Sequence, residues 1–325
     1  MSCRCSECAH GAAREPEAFL EGEEEFYSDR PDFETDYESG DEYEVDRPDF
    51  YLESEPQSEY EIIGADERSR VTNTNLAPFR YICNMEYDIP RTGRRSMCTG
   101  TLIGPSTVLT AGHCLSGLTP SLMRVIPGRN GSLEPLPATQ ATRFILAPGF
   151  RSGTATDYAI IHLRDPIGNR MGFWSRAYRR SPSDAIGTSI SAVPFPRSTT
   201  INVHISGYPA DMPNTSGMGC RDPRRPRNRC FHSNLSDPRR NRLCGAYQYR
   251  SFNRAVSLAG GVLEYLNDTC PGHSGSPVWI KRAASQGGRV LVGIHISGDA
   301  PPAPLANRAV HINASVLRFI AANTR

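Results

Sequence analysis

Three segments of the chain carry residue types that together can break an amide bond. "TAGHC" holds His113, "DYAIIHL" opens with Asp157 after a gap of 44 residues, and "GHSGSP" holds Ser274. An unassisted serine hydroxyl is a poor nucleophile. It needs an imidazole to take its proton and a carboxylate to fix the imidazole tautomer and stabilise its cation. Each residue alone has an ordinary structural explanation: a Gly-rich serine turn, an aspartate capping a turn, a satisfied core histidine. Cys98 and Cys114 flank the histidine segment, and a short disulfide between them would hold its loop.

The elements expected to position these residues are strands. From Ile62 onward short apolar stretches alternate with Gly, Pro, Asn and Ser, the texture of an all-β protein with many turns. "TGTLIGPSTVLTAGHC", "DYAIIHL", "INVHISGYP", "SPVWI" and "RVLVGIHISG" read as strand-bearing segments. "NASVLRFIAANTR" reads as a terminal helix capped by Asn313, with Val316, Leu317 and Ile320 at helical spacing. A chain of 325 residues with 38% hydrophobic content can bury a core of one large domain or two small ones.

Charge divides the chain at the same place. Between Arg14 and Glu61 there are 20 acidic residues against three arginines, whereas residues 62–325 hold 14 acidic and 32 basic ones. The acidic stretch repeats "DRPDF" and has little apolar periodicity, so residues 1–61 are expected to be a disordered acidic segment. Two uses suit it: a solubilising tail, or a pro-segment attracted to the basic domain, a contact that salt would weaken. Cys3, Cys5, Cys8 and His10 lie close together, but their spacing is not that of a common zinc finger, so no metal is expected. The arginine block "RDPRRPRNRC" would attract any phosphate without selectivity and lacks interleaved aromatics, so a solvated loop is favoured over nucleic-acid binding. No run approaches the roughly 18 apolar residues of a membrane helix, and "MSCRCSECAHG" lacks a secretory-signal pattern, so a soluble chain without a membrane partner is expected.

The segment from Ile62 to Arg325 resembles the chymotrypsin-like serine proteases and, within them, the bacterial glutamyl endopeptidases. The resemblance rests on "IIGADERSRVTNT", "CTGTLIGPSTVLTAGHC", "PGRNGS", "FRSG", "DPIGN", "HISGYPAD" and "DTCPGHSGSPV", and on the chain order His113, Asp157, Ser274. Residues 218–258 match little and read as an Arg-rich insertion. The resemblance implies two antiparallel six-stranded β-barrels with a C-terminal helix, acting as a monomer on protein or peptide substrates without a cofactor. It implies Ser274 as nucleophile, His113 as base and then acid, Asp157 as its orienter, and the amides of Gly272 and Ser274 as an oxyanion hole. In the trypsin-type loop the residue before the serine is an aspartate that pairs with a new N-terminal ammonium; here it is His273.

For specificity the resemblance points two ways. Thr269 and His295, with Ser297 two residues on, match the positions that hold a glutamate side chain in the glutamyl branch. Asp268 stands where trypsin selects Arg or Lys. Glutamate is favoured, with Arg/Lys as the alternative and an inactive, protease-shaped binding protein as the competing class. The residues before Ile62 are "EYE", so a Glu-specific enzyme could cut after Glu59 or Glu61 and release its own acidic segment. Seven cysteines fall in the basic region. Beyond Cys98 with Cys114, five remain, so one is free or pairs elsewhere, and this usage favours an oxidising, extracellular setting.

Overall fold

The computed structural model describes residues 62–63, 66–88, 95–177, 186–196, 201–210, 245–298 and 306–325. The acidic segment, the Cys3/Cys5/Cys8/His10 group and the arginine block at 221–230 lie outside these residues.

The expected alternation of apolar and turn residues produces two closed, antiparallel six-stranded barrels. Ahead of both, β1 (Ser69–Arg70) is a two-residue edge strand. The first barrel uses β2 (Ile82–Asp88), β3 (Arg95–Gly104), β4 (Thr107–Thr110), β5 (Met123–Pro127), β6 (Thr139–Leu146) and β7 (Ala159–Leu163), joined in the order β2-β3-β4-β7-β6-β5. After the short helix α1 (Gly168–Met171) and β8 (Thr188–Ile190), the second barrel follows. It contains β9 (Asn202–Gly207), β10 (Tyr249–Ala259), β11 (Val262–Tyr265), β12 (Pro277–Lys281), β13 (Arg289–Gly298) and β14 (Asn307–His311). The β9–β10 pairing closes this ring, β1 extends it at β10, and β8 adds the one parallel pairing among the described strands, at β13.

The segment "TGTLIGPSTVLTAGHC" folds as the β3–β4 hairpin followed by a single 3-10 turn, Gly112–Cys114, that carries His113. Every residue of β7 is buried, which explains why "AIIHL" reads as an unbroken apolar run. The block read as an insertion divides. Tyr249 to Leu258 form most of β10, bonded to β9 and β11, so this part belongs to the barrel wall, whereas residues 218–244 are not described.

The last element is α2 (Ala314–Asn323). The Asn313 side chain caps it, accepting from the amides of Ser315 at 2.9 Å and Val316 at 3.1 Å, and Val316 and Ile320 turn inward. Phe319 packs edge-on against Tyr158, next to Asp157. Trp174 from the linker between barrels and Trp279 from β12 lie 6.1 Å apart, within a core cluster fed by strands of both barrels. No described helix is long and apolar enough to cross a membrane.

Candidate active site

The three sequence segments meet between the barrels. Asp157 precedes β7 and is fully buried. Its Oδ2 accepts from the His113 ring Nδ1 at 2.8 Å and from the Gly153 amide at 2.7 Å, while Oδ1 accepts from the His113 amide at 2.9 Å. Three N–H donors therefore hold the carboxylate, and the carboxylate holds both the backbone and the ring of His113. With Nδ1 carrying the proton toward Asp157, Nε2 is left with a lone pair, the form a general base requires. Gly112 packs so closely on Phe150 that a β-carbon there would sit 2.5 Å from the ring. The "FRSG" turn thus shapes the histidine loop from both sides.

The disulfide Cys98–Cys114 ties β3 to the turn carrying His113, with Cα atoms 6.1 Å apart, as expected from the flanking cysteines. A loop of this length contributes about 3 kcal/mol in the chain-entropy account.

The loop that carries Ser274, Cys270 to Ser276, is pinned to the same strand. The Thr99 amide donates to the Ser274 carbonyl at 2.8 Å, the Thr99 hydroxyl donates to the Gly272 carbonyl at 2.7 Å, and the Tyr208 amide donates to that hydroxyl oxygen at 3.0 Å. On the other side the Gly275 amide donates to the His295 carbonyl at 2.8 Å, and the His295 amide to the Ser276 carbonyl at 2.9 Å. Gly275 has φ of +84° and sits against Thr99, Thr110 and the Ala111 amide, so no larger residue could bring the loop this close to the chain entering His113.

Ser274 is half-buried, as is His113. Gly272 has φ of +98°, and neither its amide nor that of Ser274 donates to an acceptor among the described residues. Two unsatisfied donors at one turn are what a developing oxyanion requires.

His273 is buried. The Cys270 amide donates to its Nδ1 at 3.0 Å, leaving the ring proton on the nitrogen that donates to the Tyr249 carbonyl. Burial first, then the charge of Arg68, pushes its imidazole well below the ordinary range, so it is neutral.

The expected specificity residues separate in environment. Thr269 is fully buried and donates its hydroxyl to Asn307 Oδ1 at 3.0 Å, while Asn307 Nδ2 donates to the Asn267 carbonyl at 2.6 Å. His295 is buried on β13, its Nδ1 2.6 Å from the Tyr265 hydroxyl; burial, then nearby His113, pushes it down to about 3. Ser297, half-buried on the same strand, stands opposite Arg308. Asp268 turns to the segment ahead of β1: Oδ1 accepts from the Ile63 amide at 2.8 Å and Oδ2 from the Glu67 amide at 2.7 Å.

Thr99, Gly153, Tyr265 and Asn307 were not singled out from sequence. Thr99 and Gly153 lie inside quoted motifs, whereas Tyr265 and Asn307 carried no local signal. Of the remaining cysteines, Cys270 is disulfide-bonded, and Cys83 is free and buried, its thiol pushed up by desolvation.

Comparison with known proteins agrees with this architecture. The Trypsin family model matches residues 72–320. A glutamyl endopeptidase of Bacillus licheniformis is 32% identical over 244 residues, covering 73% of this chain and 61% of the relative. A protein of Bacillus subtilis named extracellular metalloprotease is 30% identical over 245 residues, covering 74% of this chain and 63% of that one. The chain therefore spans about three fifths of the length of these two relatives. Cys98, His113 and Cys114 bring possible ligand atoms within 4.8 Å of one another, but the two sulfurs are bonded to each other and offer no thiolate, so this cluster does not fit a metal ion. A solved Glu endopeptidase structure superposes with a TM-score of 0.54 at 24% identity, covering 80% of this chain and 98% of the other, and supports the fold. The family model covers most of the chain and both barrels are closed: this protein belongs to the trypsin family.

Proposed function

We propose that the protein is a serine endopeptidase that works through an acyl-enzyme and cuts preferentially after glutamate. The observation that carries the reading is the pairing of buried Asp157 with half-buried His113 at 2.8 Å, set beside a serine turn whose two amides have no acceptor among the described residues. Ser274 Oγ attacks the carbonyl carbon of the scissile bond as its proton passes to His113 Nε2. The carbonyl oxygen takes the negative charge and accepts from the Gly272 and Ser274 amides. Collapse breaks the C–N bond, His113 gives its proton to the leaving amine, and water then repeats the sequence on the acyl-serine.

The glutamate preference is supported by what surrounds the pocket strand. Both oxygens of Asp268 are engaged by main-chain amides, so the anion an Arg/Lys-selective pocket needs is turned away from substrate. His295 is a buried imidazole whose N–H can meet a carboxylate, and a bound glutamate would raise its low pKa. The Thr269 proton is committed to Asn307, so Thr269 takes part only if that bond yields; Ser297 is the further hydroxyl on β13. The acidic stretch is read as a pro-segment removed by cleavage after Glu59 or Glu61, and the disulfide Cys98–Cys114 fits an oxidising, extracellular setting.

Matched peptides differing only in Glu, Gln or Arg before the cleaved bond test this reading, alongside labelling by a serine-directed phosphonate. Glu is expected to lead, with His295→Ala reducing kcat/KM for Glu more than for Gln. An Arg preference refutes the specificity, and the absence of labelling at Ser274 refutes the enzyme in favour of a binding protein.

A further inference from the structure

We infer that Tyr208 is a positioning residue for the oxyanion turn: its phenol anchors, in the first barrel, the segment whose Ala210 amide aims the Gly272 N–H. The inference rests on the serine-endopeptidase reading and names a group away from the reacting atoms on which the rate depends.

The two amides proposed to receive the oxyanion are fixed in different ways. A trans peptide is planar, with its N–H and C=O pointing in opposite directions, so whatever holds the carbonyl also aims the N–H. The Ser274 N–H shares its plane with the His273 carbonyl, which accepts from the Ser276 amide at 2.8 Å, a bond made inside the loop. The Gly272 N–H shares its plane with the Pro271 carbonyl, and that carbonyl accepts from the Ala210 amide at 2.8 Å. Gly272 lies so close to this segment that a β-carbon there would sit 2.4 Å from the Tyr208 carbonyl oxygen and 3.0 Å from the Ala210 nitrogen. One of the two donors is therefore aimed from outside the loop, by residues 208–210 just beyond the end of β9.

Tyr208 ties this segment to the first barrel. Its side chain is fully buried, and its hydroxyl donates to the Arg129 carbonyl at 3.1 Å, in the turn after β5. Burial pushes the phenol well above its ordinary range, so it keeps the proton it donates. The turn is itself fixed. The Gly128 amide donates to the Ile82 carbonyl at 2.9 Å, and the buried Arg129 guanidinium donates to Asn84 Oδ1 at 2.8 Å and pairs with Glu86. A continuous path of bonds thus runs from the wall of the first barrel through Tyr208 and Ala210 to the Gly272 donor. Tyr208 acts through Ala210, not on substrate.

Tyr208→Phe keeps the ring and deletes the hydroxyl. Hydrolysis of one Glu peptide, per site titrated with a fluorophosphonate, should show kcat lower by about tenfold to 100-fold with KM within about twofold, the signature of a bond made only in the transition state. A peptide aldehyde, whose adduct with Ser274 places an oxygen at the two amides, should bind more weakly by a comparable factor. The corresponding alcohol, which forms no adduct, should bind unchanged. Wild-type kcat in Tyr208→Phe overturns the inference. Equal weakening of aldehyde and alcohol also overturns it, because that marks a general loosening of the pocket. Ala210→Pro, which deletes the N–H on Pro271, should reproduce the loss of kcat and decides the matter if Tyr208→Phe does not fold. A wild-type protein that is not labelled at Ser274 instead refutes the serine-endopeptidase reading beneath the inference.

Discussion

Thr99 is the strongest place to test how the first barrel supports the nucleophile loop of the second. Its buried hydroxyl donates to the Gly272 carbonyl and accepts the Tyr208 amide, at 2.7 and 3.0 Å. Thr99→Val keeps the shape and removes both bonds, leaving a carbonyl and an N–H buried without partners. Each orphaned group costs about 1–3 kcal/mol, so the variant is expected to lose about 2–6 kcal/mol of stability. At about 2–4 °C per kcal/mol for a domain of this size, Tm should fall by at least about 4 °C. Gly272 has no side chain to restrain it, so freeing its carbonyl lets its amide drift from the oxyanion position. The loss in kcat should lie between about tenfold, for a tilted donor, and the 100- to 1000-fold of a missing one, with KM little changed. Thr99→Ser retains the hydroxyl and should recover most of kcat. The assay pairs a thermal melt with steady-state hydrolysis of one peptide. Wild-type kcat in Thr99→Val, at any stability, refutes the claim that this hydroxyl sets the oxyanion turn.

Three further outcomes are expected. Burial lowers the pKa of His273 and His295 in the fold, so the unfolded chain binds protons that the folded chain refuses. Stability is complete above about pH 6.5 and falls as pH drops toward the folded values, by up to about 1.4 kcal/mol per pH unit for each group, measured by urea titration from pH 7.5 to 4.5. Asp268, raised by burial, acts in the opposite sense nearer its own range, so His295→Gln should flatten the slope rather than steepen it. Replacing Cys98 and Cys114 together by serine should cost about 3 kcal/mol and lower kcat, because the turn carrying His113 loses its tie to β3; a variant as stable as wild type contradicts this. Asn313→Ala should cost about 1 kcal/mol in a melt with kcat unchanged, since α2 lies outside the chemistry.

What could be read from the sequence follows from how local each signal is. The β3–β4 hairpin, β7 and the Asn313 cap are written in contiguous residues, so pattern and spacing suffice. The Cys98–Cys114 bridge spans 16 residues around one motif and was legible for the same reason. β10 was missed because its buried positions include Ser251 and Ala255, which carry little hydrophobic signal, while Arg250, Phe252 and Arg254 point outward and blend with the arginine block before them. The orientation of Asp268 could not be read because its partners lie 205 and 201 residues away in sequence. Tyr265 meets His295 on β13, and Asn307 on β14 meets Thr269 and Asn267, 38 and 40 residues earlier in the chain, pairings that no single segment encodes.

The fate of two acidic positions bears on the proposed specificity. A trypsin-type site keeps one aspartate before the serine, for the new N-terminus, and another at the pocket base, for a basic substrate side chain. Here the first is a neutral, buried histidine and the second is spent on the amides of Ile63 and Glu67. The carboxylate that holds the amides of Ile63 and Glu67 therefore offers no free anion to substrate. Asp268 adds little to the cost of binding a glutamate, because both its oxygens are already satisfied by N–H groups and the Arg68 charge acts on it. Losing these contacts should therefore affect rate and specificity together: without its amides Asp268 is a buried carboxylate with two bonds fewer, six residues before the proposed nucleophile. A chain lacking residues 62–67 should lose preference for Glu over Gln as well as rate, a pairing of effects that simple loosening of the loop would not produce.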